Sequence, residues 1–218
     1  MRRIASALLS LSALVAAAAL AAPTATAAPQ PVPSGWEAVD GAELARIVEE
    51  SGTGRAPFAA GGGASATAAA EADLVAMESV RNGKFVTTEV NYAAPNTGVL
   101  RARSDAYGGS WEGFSLEWDD ITQTYSLKSL ANDRYVAVEK NYTGSAQNIL
   151  RARSTTVGGW ERFNLYYHET LGRWAFQSTL NGMFVAMENN YTGSLQYALR
   201  ARSADISGSW EEFNLYGL

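Results

Sequence analysis

One string of residues is written three times in this chain. Each copy opens on Asn82-Gly83-Lys84-Phe85-Val86, Asn132-Asp133-Arg134-Tyr135-Val136 or Asn181-Gly182-Met183-Phe184-Val185. A glutamate and an Asn-Tyr pair follow: Glu89 with Asn91-Tyr92, Glu139 with Asn141-Tyr142, Glu188 with Asn190-Tyr191. Next come Leu100-Arg101-Ala102-Arg103, Leu150-Arg151-Ala152-Arg153 and Leu199-Arg200-Ala201-Arg202. Each copy closes on Trp111-Glu112-Gly113-Phe114, Trp160-Glu161-Arg162-Phe163 or Trp210-Glu211-Glu212-Phe213. Phe85, Tyr135 and Phe184 stand 50 and then 49 positions apart. A repeat that long is a supersecondary unit that buries its apolar face only against its neighbours. Three copies point to a closed object with pseudo-threefold symmetry.

Within each copy, four short runs read as strands. In the second copy they are 125–130, 134–139, 148–154 and 163–167, separated by turn residues such as Asn132-Asp133, Thr143-Gly144-Ser145 and Gly158-Gly159. Alternation assigns faces. Leu100, Leu150 and Leu199 point inward and the six arginines beside them outward. Phe114, Phe163 and Phe213 share an inner face with Leu116, Leu165 and Leu215. Val86, Val136 and Val185 do so with Thr88, Val138 and Met187. Trp118 with Tyr125, and Tyr167 with Trp174, are expected as cross-strand aromatic pairs, while Tyr166 and Tyr216 have the parity of exposed residues. A closed barrel fits, because twelve short strands leave few edges unprotected that way.

These motifs resemble the fascin-like, or actin-crosslinking, branch of the β-trefoil folds. The resemblance rests on the Gly-Lys-Phe-Val type hairpin, the Leu-Arg-Ala-Arg strand and the Gly-x-Trp-Glu-x-Phe strand, and it covers residues 74–218. The second copy lacks the spacer between Gly159 and Trp160. The resemblance implies an all-β domain with three repeats, 74–124, 125–173 and 174–218. Six strands would close a barrel and six would form a triangular cap, with the strand at Phe213 returning to pair with the one at Leu74. Ricin-type trefoils usually carry Gln-x-Trp repeats and disulfides. This chain has neither, and their sugar-binding residues are not transferred.

The flanking sequence differs in composition. Arg2 and Arg3, the apolar run 4–22 and the small residues Ala25-Thr26-Ala27 read as a signal peptide over residues 1–27. The mature chain is therefore expected to be secreted, and with no cysteine its stability must come from its core. Residues 28–73 hold Pro29, Pro31, Pro33 and Gly61-Gly62-Gly63, which reads as a flexible linker or pro-segment. A short helix fits inside it, with Asp40 and Glu43 as a capping box and Leu44, Ile47 and Val48 as a narrow stripe. An interaction motif is the alternative reading of that segment.

Charge names no partner. The whole chain has a formal net charge of −5, and the 17 Lys and Arg are spread among 22 Asp and Glu with no basic stripe for nucleic acid. No membrane contact is expected after signal cleavage, and the domain is expected to be a monomer. The sequence offers no catalytic set, metal-ligand cluster or cofactor loop: the one histidine, His168, has no counterpart in the other copies. The repeated arginines suit pairing with the glutamates of the Trp-Glu turns, or an anionic ligand. Trp111, Trp160 and Trp210 suit core packing, or sugar stacking.

The candidate binding residues are Asn91, Tyr92, Asn141, Tyr142, Asn190 and Tyr191. Asn and Gly can simply build a turn there. An Asn amide beside a Tyr ring on a rigid loop also suits a pyranose. The sequence thus supports a non-enzymatic binding protein for a polysaccharide or glycan. The alternative is a protein-binding module (protease inhibitor, adhesin or actin-binding-like), using the divergent first loop Ala93-Ala94-Pro95-Asn96. Crosslinking of actin fits poorly, since one trefoil does not easily bridge two filaments.

Overall fold

The computed structural model of the chain describes residues 32–51 and 72–218. The signal peptide read over residues 1–27 lies outside the described residues. An N-terminal arm comprises β1 (Glu37–Val39) and α1 (Gly41–Ser51). Three lobes of four strands follow. Lobe 1 holds β2 (Ala72–Ser79), β3 (Lys84–Glu89), β4 (Val99–Ser104) and β5 (Gly113–Asp119). Lobe 2 holds β6 (Thr124–Ser129), β7 (Arg134–Val138), β8 (Leu150–Ser154) and β9 (Phe163–His168). Lobe 3 holds β10 (Arg173–Ser178), β11 (Phe184–Met187), β12 (Leu199–Ser203) and β13 (Phe213–Gly217).

The first and last strands of each lobe close a six-stranded antiparallel barrel in the order β2, β5, β6, β9, β10, β13 and back to β2. The final seam pairs Leu215 with Met77 and Tyr216 with Ala76. The middle strands form three hairpins, β3–β4, β7–β8 and β11–β12, each with a register shift after Phe85, Tyr135 or Phe184. Such a shift sharpens the local twist. It lets the three hairpins lean together into a cap, joined by Val99 opposite Arg151 and by bridges Arg101 to Ala198 and Ile149 to Arg200. Each hairpin turn is held by one asparagine. Asn82, Asn132 and Asn181 donate to the carbonyls of Ala102, Ala152 and Ala201 at 2.9 Å and accept from the amide two residues on.

The core follows the strand alternation. Val86, Val136, Val185, Leu100, Leu150, Leu199, Phe114, Phe163, Phe213 and the three Phe-x-Leu leucines are all buried. A cavity of about 10 Å³ lies between Met77, Leu127, Phe176 and their neighbours. Trp118 stacks on Tyr125 at 4.8 Å and Tyr167 on Trp174 at 4.5 Å, each pair facing across its hairpin.

Two expectations about aromatic residues are corrected. Trp111, Trp160 and Trp210 lie outside the core and are half-buried. β5, β9 and β13 begin at Gly113, Phe163 and Phe213, so strand parity does not extend back to the tryptophans. Their rings lie at the surface, with Arg153 over Trp160 and Arg81 over Trp210. Tyr166, expected at the surface, is buried because Trp36 of the arm covers it and Gln177 accepts its hydroxyl. Tyr216 is half-buried, its hydroxyl donated to Glu78.

The arm is a further correction. Residues 28–73 read as a flexible linker or pro-segment with a possible short helix; the helix is present, and the described part from 36 to 47 is packed on the barrel. β1 extends the sheet beside β9, with Val39 opposite Leu165. α1 starts where Asp40 accepts the amide of Glu43 at 2.8 Å, and Glu43 then pairs with Arg46. Val39, Leu44 and Ile47 join the same core cluster as Phe114 and Leu116. Gly41 lies so close to Trp118 that an added Cβ would sit 2.7 Å from the indole. A narrow apolar stripe suffices here because the barrel end supplies the rest of its core.

Leu44→Ala is therefore expected to destabilise the whole domain by about 2–5 kcal/mol, as for a leucine removed from a packed interior. Urea titration of the full chain measures this. A loss below about 0.5 kcal/mol, typical of surface changes, would return the arm to the status of a tether.

Candidate functional site

The cap end is built around three buried carboxylates. Glu89, Glu139 and Glu188, each at the end of the second strand of its lobe, are 1%, 3% and 6% exposed. Burying a carboxylate is unfavourable unless it is paired. Each takes both arginines of its own Leu-Arg-Ala-Arg strand. Arg151 lies 3.2 Å and Arg153 2.5 Å from Glu139. Arg200 and Arg202 both lie 3.3 Å from Glu188. Arg101 is 3.5 Å from Glu89, which also takes Arg103.

The arginines thus pair across the hairpin, not with the Trp-Glu turns expected from the sequence. The turn glutamates, Glu112, Glu161 and Glu211, are buried and accept the backbone amides of Gly108, Gly158 and Ser207 at 3.2, 2.8 and 3.2 Å. Each carboxylate staples its own turn.

The first arginine of each strand also joins the lobes. Its Nε donates to a carbonyl of a neighbouring loop: Arg101 to Gln196 at 2.7 Å, Arg151 to Thr97 at 2.7 Å, Arg200 to Gln147 at 2.5 Å. Its Nη1 donates to the tyrosine of its own Asn-Tyr pair, Tyr92, Tyr142 or Tyr191. The six sequence-derived binding residues therefore divide by type. The tyrosines are half-buried and pinned, and Tyr92 and Tyr142 pack against the apolar cluster Val99, Ile149 and Ala198. Asn91, Asn141 and Asn190 are exposed. The structure brings all three pairs to one end of the molecule. The divergent loop holding Pro95 is part of the same assembly, since Asn96 donates to Ser194 at 3.0 Å and Tyr142 to the Pro95 carbonyl at 3.1 Å.

His168 packs edge-on against Trp36 of the arm at 5.3 Å. Among the described residues no group of three or more His, Asp or Glu is placed to hold a metal ion, and no helix is long and apolar enough to cross a membrane. On the far side of the barrel, Arg162 lies 2.9 Å from Asp119, whose carboxylate also accepts the amides of Ile121 and Thr122. The guanidinium foremost, and then the Thr122 amide, hold the Asp119 carboxyl down to about 2.

No protein-family model and no curated protein matches the sequence. Solved structures do. The designed threefold-symmetric protein ThreeFoil superposes with a TM-score of 0.54 at 18% identity, covering 66% of this chain and 99% of ThreeFoil. The Macrolepiota procera ricin B-like lectin, solved in complex with lactose, gives 0.51 at 10% identity over 69% of this chain and 99% of its own. The Polyporus squamosus lectin, bound to Neu5Acα2-6Galβ1-4GlcNAc, gives 0.52 at 13% identity over 67% of this chain and 49% of its own. With the closed barrel and triangular cap, these similarities establish the chain as a β-trefoil.

Two outcomes are expected. Glu139→Ala leaves two guanidinium groups facing each other beneath the cap and costs about 3–5 kcal/mol. Trp160→Ala removes a half-buried ring and costs about 1–2 kcal/mol, within the ordinary range of point changes. Urea titration ranks the pair, and the reverse order would restore tryptophan to the core. The second outcome concerns acid. The Asp119 carboxyl is depressed from about 3.9, so its contribution is present above pH about 4 and lost as pH falls towards 2. Asp119→Asn should flatten that part of the acid-unfolding curve, and an unchanged curve would show that the pair contributes nothing.

Proposed function

We propose that this chain is an exported, non-catalytic carbohydrate-binding protein of the fascin-like branch of the β-trefoils, meeting a polysaccharide or glycan through its cap loops. The observation that carries the reading is the threefold display of an exposed asparagine amide beside an arginine-pinned tyrosine. Pinning matters physically. A ring already fixed loses little further entropy when a sugar packs on it, and preorganisation of that kind raises affinity. The repeated carboxylates support binding over catalysis, because arginines and backbone amides already occupy them. The branch is supported by the Leu-Arg-Ala-Arg and Gly-x-Trp-Glu-x-Phe motifs, and the ligand class by the sugars bound to two of the structural relatives.

Each loop offers few polar contacts, so single sites should bind with Kd of about 10 μM to 1 mM. A polymer spanning several lobes gains by avidity. The clean test uses the exposed amides, because truncating a tyrosine also removes an arginine partner. Asn141→Ala with Asn190→Ala should reduce retention on insoluble polysaccharide at least about tenfold, with Tm unchanged. Full retention by the double variant would remove the cap loops from the site. Failure of the wild type across a broad glycan panel would move the reading to a protein partner.

A further inference from the structure

The outer face of the β5–β6 hairpin carries a groove of about 410 Å³, lined among others by Glu117, Trp118, Asp120, Ile121, Ser126 and Val157. It has no place in the cap and does not follow the repeat. One repeat on, across the junction of lobes 2 and 3, Tyr166, Ala175 and Ile206 replace Glu117, Ser126 and Val157. There the chain fills the space itself: Trp36 of the arm packs with Tyr166, Ala175 and Ile206 and is only 8% exposed. The fold thus demonstrates at one junction that this slot accepts a flat ring system.

Across the junction of lobes 1 and 2 the slot is open and its lining has become polar. Glu117 and Ser126 stand opposite each other on the ladder and so share its outer face. Ser126 is 7% exposed as a residue, and its hydroxyl lines the groove; among the described residues it is not one of the enclosed unpartnered atoms, which are the Ser79 and Tyr125 hydroxyls. Glu117 is held by the hydroxyls of Ser115 at 3.2 Å and Tyr135 at 2.9 Å. Asp120 accepts the indole N–H of Trp118 at 2.7 Å. Among the described residues neither carboxylate has a salt bridge, in contrast to neighbouring Asp119, which Arg162 neutralises. Apolar walls complete the groove: Val157 on one side and, on the rim, Ile121, which is 94% exposed.

We propose that this groove is a fourth, non-repeated saccharide subsite that selects a pyranose carrying an ammonium group, the repeating unit of a polysaccharide of free amino sugars. The ring takes the place that the Trp36 indole fills across lobes 2 and 3. Its C–H face lies on the Val157 and Ile121 side. Its hydroxyls meet Ser126, and its ammonium meets the carboxylates of Glu117 and Asp120, where charge-assisted hydrogen bonds are the strong ones. The proposal rests on the carbohydrate-binding reading and adds charge selectivity to it, since the exposed asparagines of the cap loops are neutral.

The test is calorimetric titration of the full chain at pH 6 with a glucosamine oligosaccharide and with its N-acetylated counterpart. The free-amine oligomer should bind at least about tenfold tighter. Glu117→Gln with Asp120→Asn, nearly isosteric and remote from the cap, should abolish that preference and leave retention on neutral polysaccharide unchanged. Ser126→Ala should weaken the free-amine oligomer about two- to tenfold, as for one lost hydrogen bond. Equal affinities in the wild type, or a preference that survives the double variant, would overturn the proposal. A lysine-rich peptide binding as tightly as the amino-sugar oligomer would also overturn it, by assigning the groove to basic peptides. The two readings fail separately. Neutral polysaccharide retained without amine preference counts against the groove alone. Amine preference without retention on neutral polysaccharide counts against the cap loops alone.

Discussion

A buried carboxylate shared by two arginines is the interaction on which the cap depends. Glu89, Glu139 and Glu188 have left water almost completely, and each must be matched by positive charge and hydrogen bonds or the lobe is penalised. The match comes from the neighbouring strand of the same hairpin. The guanidinium so fixed has donors to spare, and geometry sends one to the next lobe and one to a tyrosine. A single repeated Glu and Arg therefore set the hairpin, the lobe-to-lobe contact and the orientation of the surface rings together. The arginine's planar fork, with several donors at set angles, is what lets one side chain serve all three.

The parts of this architecture that were legible in the sequence are those governed by strand parity. Leu100, Phe114, Leu116 and their equivalents alternate with polar residues, and all are buried where alternation placed them. The return of Phe213 to the strand at Leu74 was legible too, since a closed threefold object needs it. Parity failed where the chain is not a strand. Trp111 and Glu112 lie in a turn before β5, and there the small carboxylate turns inward to bind amides while the large ring stays outside. The arginine partners were missed for a related reason. Sequence shows that acids and bases recur, but which glutamate meets which arginine depends on hairpin register and on the bulge after Phe85.

The arm and the groove mark a second limit. A three-residue strand and a narrow helical stripe carry little local signal, and their Pro- and Gly-rich surroundings weighed towards a tether. The strand's partners, Leu165 and Tyr166, stand more than a hundred residues away in the chain, and the helix packs on the distant barrel core. The groove at Glu117 was invisible for the opposite reason. The threefold pattern draws attention to what recurs, and Glu117, Ser126 and Trp36 do not recur. The sequence singled out the Asn-Tyr pairs as surface candidates, but not that arginines hold the tyrosines.

The seam between β13 and β2 has a consequence for how the molecule comes into being. Asn214 and Tyr216 reach Glu78 across 136 and 138 positions of chain, and without that seam the barrel has two raw edges. Two finished lobes would hold an open sheet, an unfilled axis and an Arg101 lacking the Gln196 carbonyl that the third lobe brings. Solenoid repeats can be added or lost one at a time because each touches only its neighbours. Here the last repeat touches the first. Assembly therefore waits on the final strand, the chain must search for its most distant contact before any lobe is secure, and folding of this kind is slow and all-or-none.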